Sequence, residues 1–86
     1  MKLSEDEYKV LSKITTKAKM DWFDIRECFD QDYVYDLEYG KKLSLKTGIG
    51  FVWDGFTEPS DYDLKEKETK TFYNLLIKLG YLKEDL

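Results

Sequence analysis

The sequence has no histidine, one arginine, one cysteine and one proline among its 86 residues. Because histidine is absent, acid–base catalysis near neutral pH would require carboxylates, lysines or tyrosines with strongly shifted pKa values. Arginine makes the bidentate contacts to phosphates and bases on which nucleic-acid readers depend, yet this chain has only Arg26 and a net charge of −4. We therefore predict a protein that is not an enzyme and does not bind nucleic acid directly.

The sequence also has little that would direct it to a membrane or an oxidising compartment. The amino terminus, MKLSEDEYKV, becomes charged at once and has no apolar core of a signal peptide. Cys28 has no second cysteine with which to form an intramolecular disulfide. No apolar run approaches the roughly 20 residues that cross a bilayer. These features predict a cytoplasmic protein that makes no membrane contact.

Motifs for cofactors and metals are weak or incomplete. The segments GIG and WDG match neither phosphate-binding fingerprint. Asp30, Asp32 and Asp36 supply the oxygens that a hard cation prefers, but the central glycine and distal glutamate of a calcium-binding loop are missing. Cys28 has no histidine to activate it and lies among carboxylates, which disfavour a thiolate. We predict no cofactor, no metal and no catalytic residue.

The most distinctive segment is DWFDIRECFDQDYVYDLEYG, residues 21–40, which we call the acidic ribbon. It carries seven carboxylates against one arginine, a formal charge of −6, and six aromatic residues are placed among them. Such a surface suits a basic protein partner, with tyrosine and tryptophan as anchors. The alternative is that the carboxylates only keep an edge strand soluble. The predicted partner-binding residues are Trp22, Asp24, Asp30, Asp32, Tyr33, Tyr35, Asp36, Glu38 and Tyr39.

The sequence predicts a helix from Ser4 to about Lys19. Ser4 and Glu7 form a capping-box pair, and apolar residues recur at helical spacing. Residues 22–26 and 33–37 are short, aromatic and β-branched, which predicts a β-hairpin, followed by a turn around Gly40. Residues 44–56 fit either a helix capped by Ser44 or a second hairpin turning at 54–55. We favour the helix, with Gly55 in the left-handed conformation after its last turn.

A last helix is predicted from about Leu64 to Leu79, started by Asp63 with Glu66 and closed by Gly80. The predicted fold is therefore α+β, a small single domain over residues 1–86 with an N-terminal helix, a β-hairpin, a short helix and a long C-terminal helix. Its predicted core contains residues from every element. They are Leu11, Ile14, Ile25, Leu37, Val52, Phe72, Leu75, Leu76 and Leu79.

Two lysine stripes accompany the long helices. Lys9, Lys13 and Lys17 recur on the first helix, and Lys67, Lys70 and Lys78 lie on the last. A phosphate-binding surface would use such cations, but carboxylates alternate with them and no arginine joins them. We therefore predict solvated helix faces.

Two resemblances bear on function. The segment FYNLLIKLGYL resembles the recognition helix and following turn of winged-helix regulators, which implies a DNA-binding transcriptional regulator; only six residues follow Gly80, so we expect no two-stranded wing. In size and acidity the chain resembles accessory proteins of phages and mobile elements, some of which inhibit host enzymes by covering a basic cleft. We favour a non-enzymatic protein-interaction module of this second kind, an inhibitor whose partner is a basic protein such as a nucleic-acid-binding enzyme.

Overall fold

The structure is a computed structural model, and it describes residues 2–20, the backbone of residues 23–24, and residues 33–83. The elements are α1 (Glu5–Lys17), β1 (Phe23–Asp24), β2 (Tyr33–Asp36), β3 (Lys41–Ser44), α2 (Leu45–Asp54), a 3-10 helix (Pro59–Tyr62) and α3 (Glu66–Leu79). The radius of gyration is 12.2 Å. The predicted α+β class and the order helix, hairpin, short helix, long helix are confirmed, and a third strand is added. Within the described ranges, no helix combines the length and apolarity needed to cross a membrane.

The capping box at the start of α1 is confirmed. The Ser4 hydroxyl accepts a hydrogen bond from the Glu7 backbone N–H at 3.2 Å, and a Glu7 carboxylate oxygen accepts one from the Ser4 N–H at 2.8 Å. These bonds satisfy two amides that the helix itself leaves unpaired. The helix ends at Lys17 because Lys19 turns left-handed, with φ at 56°, and the Met20 N–H closes the end on the Thr15 carbonyl.

The three strands form one antiparallel sheet in the order β1-β2-β3. β1 and β2 are the described parts of the predicted hairpin, with Phe23 opposite Asp36 and Asp24 opposite Tyr35. β3 was not predicted, since Lys41–Ser44 contains only one large apolar residue. The turn at residues 37–40, where Gly40 has φ at 63°, brings this segment back against β2. The predicted turn around Gly40 is thus confirmed.

The ambiguous segment after β3 is a helix, as favoured. The Ser44 hydroxyl caps α2 by accepting from the Thr47 N–H at 3.1 Å. The prediction for Gly55 is wrong: its φ is −94°, in the right-handed region. The chain leaves the helix over the next residues and is extended at Glu58, as expected of a residue that precedes proline.

The last helix begins two residues later than predicted. Asp63, with φ at 55°, ends the 3-10 helix instead of capping α3. The Glu68 carboxylate accepts from the Lys65 N–H at 2.8 Å and so satisfies an amide at the start of α3. The closure by Gly80 is confirmed, because Gly80 has φ at 87° and the Tyr81 N–H reaches back to the Leu76 carbonyl.

The core lies between the three helices and one face of the sheet. Six of the predicted core residues are buried, and Leu79 is half-buried against them. Leu37 is a wrong prediction: it lies in the turn after β2 and is 52% exposed. Ile25 lies outside the described residues. The prediction missed Leu3, Val10, Val34, Leu45, Ile49 and Tyr62.

Candidate protein-contact surface

The sheet has two faces of different character, and β2 shows the difference most clearly. Val34 is completely buried and joins the core with Leu45 and Ile49 of α2. Successive side chains of a strand point to opposite faces, so Tyr33 and Tyr35 lie on the side away from α2. Tyr33 is half-buried and Tyr35 is 37% exposed. We call this side, with its β3 neighbours Lys42 and Ser44, the tyrosine face.

The pairing of β2 with β3 brings a lysine to the centre of the tyrosine face. Lys42 is directly opposite Tyr35, and Ser44 is opposite Tyr33. The Lys42 ammonium lies 4.6 Å from the centre of the Tyr33 ring, a cation–π geometry that crosses the sheet diagonally. The tyrosine face therefore combines aromatic area with one cation, and it is less uniformly acidic than the sequence of the ribbon indicates.

The turn between β2 and β3, residues 37–40, continues the exposed aromatic surface, and we call it the hairpin tip. Leu37 is 52% exposed, Tyr39 is 69% exposed and Glu38 is also exposed. Two large apolar side chains in solvent at one turn are suited to contact with a partner. Together the tyrosine face and the hairpin tip form the candidate surface.

Asp36 holds the hairpin tip in shape. One oxygen of its carboxylate accepts from the Glu38 N–H at 2.9 Å and from the Tyr39 N–H at 3.2 Å. The residue is only 8% exposed. Aspartate at a turn commonly satisfies local amides in this way, and the predicted contact of Asp36 with a partner stays a prediction. Its role in the structure is to position Glu38 and Tyr39.

The other predicted contact residues are described in part or lie outside the described residues. Asp24 belongs to β1, and its backbone lies directly opposite Tyr35 of the neighbouring strand β2. Trp22, Asp30 and Asp32 lie outside the described residues. The structure thus brings together Tyr33 and Tyr35 on the sheet, with Glu38 and Tyr39 at the hairpin tip.

Sequence reasoning missed Lys42 and Leu37 as members of this surface. A signal for Lys42 was present, because a short turn at Gly40 brings the next residues back beside β2. The position of Leu37 had no such signal, since a leucine that follows Tyr33 and Tyr35 at a period of two is typical of a strand face.

The lysine stripes of α1 and α3 carry ion pairs that join the elements. Lys13 contacts Glu68 at 3.1 Å, Lys17 contacts Asp63 at 2.8 Å, and Lys78 contacts Glu7 at 3.2 Å. Hydrogen bonding and charge attraction from Lys17 lower the pKa of Asp63. These three pairs neutralise cations that a phosphate-binding surface would need.

The Glu68 carboxylate belongs to the same set of contacts. Its pKa is lowered first by the hydrogen bond from the Lys65 N–H and then by the bond from the Lys13 ammonium. Among the residues that the structure describes, no group of three or more histidine, cysteine, aspartate or glutamate side chains could hold a metal ion.

Comparison with protein-family models, with curated proteins and with solved structures finds no significant match to this chain.

Proposed function

We propose that this protein is a non-enzymatic interaction module that binds a basic protein surface through the acidic ribbon. The observation that carries the proposal is the alternation along β2, which buries Val34 against α2 and directs Tyr33 and Tyr35 to the opposite side. Tyrosine offers a large, rigid, partly apolar contact area with few torsions to immobilise, so it is frequent among the residues that dominate binding energy. The exposed Leu37 and Tyr39 extend that area to the hairpin tip.

The charge of the acidic ribbon also favours a basic partner. The acidic ribbon has a formal charge of −6, while the whole chain has −4. Such a concentration attracts a basic partner from a distance and raises the association rate, and salt screens the attraction. Lys42 sits over the Tyr33 ring, so the partner surface should offer an acceptor or an apolar group opposite Lys42.

The partner that best fits this charge is a nucleic-acid-binding enzyme whose basic cleft the ribbon would cover. This fits the resemblance in size and acidity to inhibitory accessory proteins of phages and mobile elements. An acidic strip with aromatic anchors can occupy a cleft that otherwise binds phosphates, because carboxylates replace phosphates as partners of lysine and arginine.

The first experiment is affinity capture from the native host with three matched baits: wild type, Tyr35→Ala with Tyr39→Ala, and Tyr35→Phe with Tyr39→Phe. The alanine bait should lose a basic protein that wild type captures, whereas the phenylalanine bait should keep it because the rings remain. Capture by all three baits alike would contradict a site on the tyrosine face and hairpin tip. Co-purification of DNA instead of a protein would favour the winged-helix alternative.

Charge is tested separately on the captured partner. Glu38→Lys should slow association several-fold at low salt and have little effect at high salt, because it alters long-range attraction more than contacts. Asp6→Lys is the matched control, an equal charge change at an exposed position on α1. If the two reversals slow association equally, net charge and not the ribbon determines the rate.

A further inference from the structure

A cavity of about 350 Å³ lies where the carboxyl ends of α1 and α2 meet. Its walls include Ile14 of α1, Val52 of α2 and Tyr62 of the 3-10 helix, all of which are buried. Ala18 and Phe51, which are exposed, stand at its rim. None of the residues lining it belongs to the acidic ribbon, so this cavity is distinct from the tyrosine face and the hairpin tip. Its volume is at the low end of the range of about 300–1,000 Å³ typical of ligand pockets.

The electrostatic surroundings of this cavity favour a cation. Backbone carbonyls at the carboxyl end of a helix carry partial negative charge, and the last turns of both α1 and α2 contribute residues to the lining. The last turn of α2 contains no basic residue, and the helix ends at Asp54, whose exposed side chain lies at the cavity. A carboxylate at this end of a helix adds to the negative potential instead of compensating it.

The neighbouring elements carry charges of both signs, and the acidic ones predominate on the segment that follows α2. The segment from Asp54 to Asp63 also contains Glu58 and Asp61 and has no lysine or arginine. The nearby cations are Lys17 and Lys19 at the end of α1, and Lys17 is held by Asp63 at 2.8 Å. An apolar cavity with the Asp54 carboxylate in its lining suits a group that is apolar along its length and positive at its tip.

We propose that this cavity binds an arginine side chain presented by a partner protein. The methylene stem would lie against Ile14 and Val52, and the guanidinium would meet the Asp54 carboxylate at the rim. Long cationic side chains bury their stems on apolar surface while the charged head stays in water, and the planar guanidinium can pair with a carboxylate through two hydrogen bonds. A basic partner is also what the proposed function requires, but the cavity could recognise arginine even if the acidic ribbon binds nothing.

The test uses the full-length, isotopically labelled protein and the probe acetyl-Leu-Arg-Leu-amide. Its matched control is the same peptide with citrulline, which keeps the shape of arginine and removes the charge. The arginine peptide should shift the amide signals of Val52 and Gly55 in a saturable way, and the citrulline peptide should bind at least about tenfold more weakly. Equal binding of the two peptides, or no saturable shift at about 10 mM arginine peptide, would overturn the proposal.

Variants locate the binding on the cavity. Asp54→Asn should weaken the arginine peptide several-fold, whereas Glu58→Gln, an equal charge change outside the lining, should leave its affinity within about twofold. Ala18→Leu places a larger side chain at the rim and should abolish binding, because leucine occupies the space and suits a helix end. If Ala18→Leu stabilises the fold and leaves peptide binding unchanged, the cavity is only a packing gap and the proposal is wrong.

The two proposals fail separately. Tyr35→Ala lies outside the cavity and should not alter binding of the arginine peptide. Conversely, Ala18→Leu should leave the electrostatic steering by the acidic ribbon unchanged. Loss of peptide binding in Tyr35→Ala would overturn the assignment of the arginine site to the carboxyl ends of α1 and α2.

Discussion

Two groups of aromatic residues in this protein have opposite surroundings. Among the helices, Phe56 stacks on Tyr62 with their ring centres 4.8 Å apart. The ring centres of Phe56 and Phe72 are 4.9 Å apart. The ring centre of Trp53 lies 5.6 Å from the ring centre of Phe56. It also lies 6.4 Å from the ring centre of Tyr73, in an edge-to-face arrangement. We call these five residues the interior aromatic cluster. On the tyrosine face and at the hairpin tip, by contrast, Tyr35 and Tyr39 are exposed.

The difference arises from how many elements meet at each place. The interior cluster lies where α2, the 3-10 helix and α3 converge, so each ring meets other rings. Even the polar group of Tyr62 has a partner there, because its hydroxyl donates to the Gly55 carbonyl at 3.3 Å. The tyrosine face belongs to a small sheet whose other side is occupied by α2. Equivalent residue types are therefore buried in or packed against the core in one region and exposed to solvent in the other.

The largest expected effect comes from removing a ring of the interior cluster. Phe72 is 1% exposed, and Phe72→Ala should lower the free energy of unfolding by about 3–5 kcal/mol through lost contacts and a residual cavity. Urea unfolding measures this. Tyr39→Ala at the hairpin tip is the matched control and should change stability by less than about 0.5 kcal/mol. Similar losses of stability in the two variants would show that the interior and the exposed aromatic residues contribute equally to folding.

The second prediction concerns partner binding, for which we expect an exposed tyrosine to matter more than it does for stability. Tyr35→Ala should weaken binding of the captured partner by roughly 2 kcal/mol if Tyr35 is an anchor of the contact. Its effect on unfolding should stay much smaller than that of Phe72→Ala, since the side chain is partly in solvent. Calorimetric titration of the partner gives the first quantity and urea unfolding the second. A variant that unfolds readily but still binds would contradict the division of roles.

The third prediction concerns Asp36, the last residue of β2. Asp36→Ala removes the acceptor for two amides of the hairpin tip and should cost about 1–3 kcal/mol. Hydrogen exchange should accelerate at Glu38 and Tyr39, while the amides of α3 lose protection only through the global loss of stability. Asp36→Asn is the matched control, because its amide oxygen can still accept. Equal exchange at the tip in both variants and wild type would mean that the carboxylate does not hold the turn.

The smallest expected effect concerns the ion pair between Lys13 of α1 and Glu68 of α3. The hydrogen bond from Lys65 and the pairing with Lys13 keep the pKa of Glu68 below its ordinary value of 4.5. A lowered pKa in the folded state stabilises the protein above that value, and the stabilisation is lost as the pH falls through the folded pKa. The pair is partly exposed, with side-chain exposures of 33% for Lys13 and 27% for Glu68, so its contribution should be under about 1 kcal/mol.

Melting temperatures as a function of pH provide the measurement. Glu68→Gln should melt below wild type near neutral pH, and the difference should shrink as the pH falls below 4.5. Glu66→Gln is the control, because the side chain of Glu66 is 88% exposed and its contact with Lys70 is long, at 3.9 Å. A difference for Glu68→Gln that stays constant down to about pH 3 would show that the charge of Glu68 is not its cause.

Those parts of the fold that depend on neighbours along the chain were readable from the sequence. The Ser4–Glu7 capping box, the Ser44 cap of α2 and the closure by Gly80 all join residues within a few positions of one another. Their geometry follows from the few conformations of a helix end, so the residue types suffice. The α+β class and the order of elements followed from the same local patterns.

Other features depended on contacts between distant parts of the chain. The Glu7 carboxylate meets the Lys78 ammonium across 71 positions, and no local pattern indicates that pairing. The same holds for the exposure of Leu37 and for the cavity between the ends of α1 and α2. Each of these depends on which elements pack together.

The sequence by itself therefore determined the presence and order of the helices, the capping box of α1, the closure of α3 by Gly80, and the concentration of carboxylates and rings in residues 21–40. Only the tertiary structure decided that Val34 and not Tyr35 faces α2, that Asp36 turns inward to the hairpin tip, and that Lys42 joins the tyrosine face. The physical reason is that capping and periodicity act over one or two turns of chain, whereas burial depends on the surface that a distant element presents.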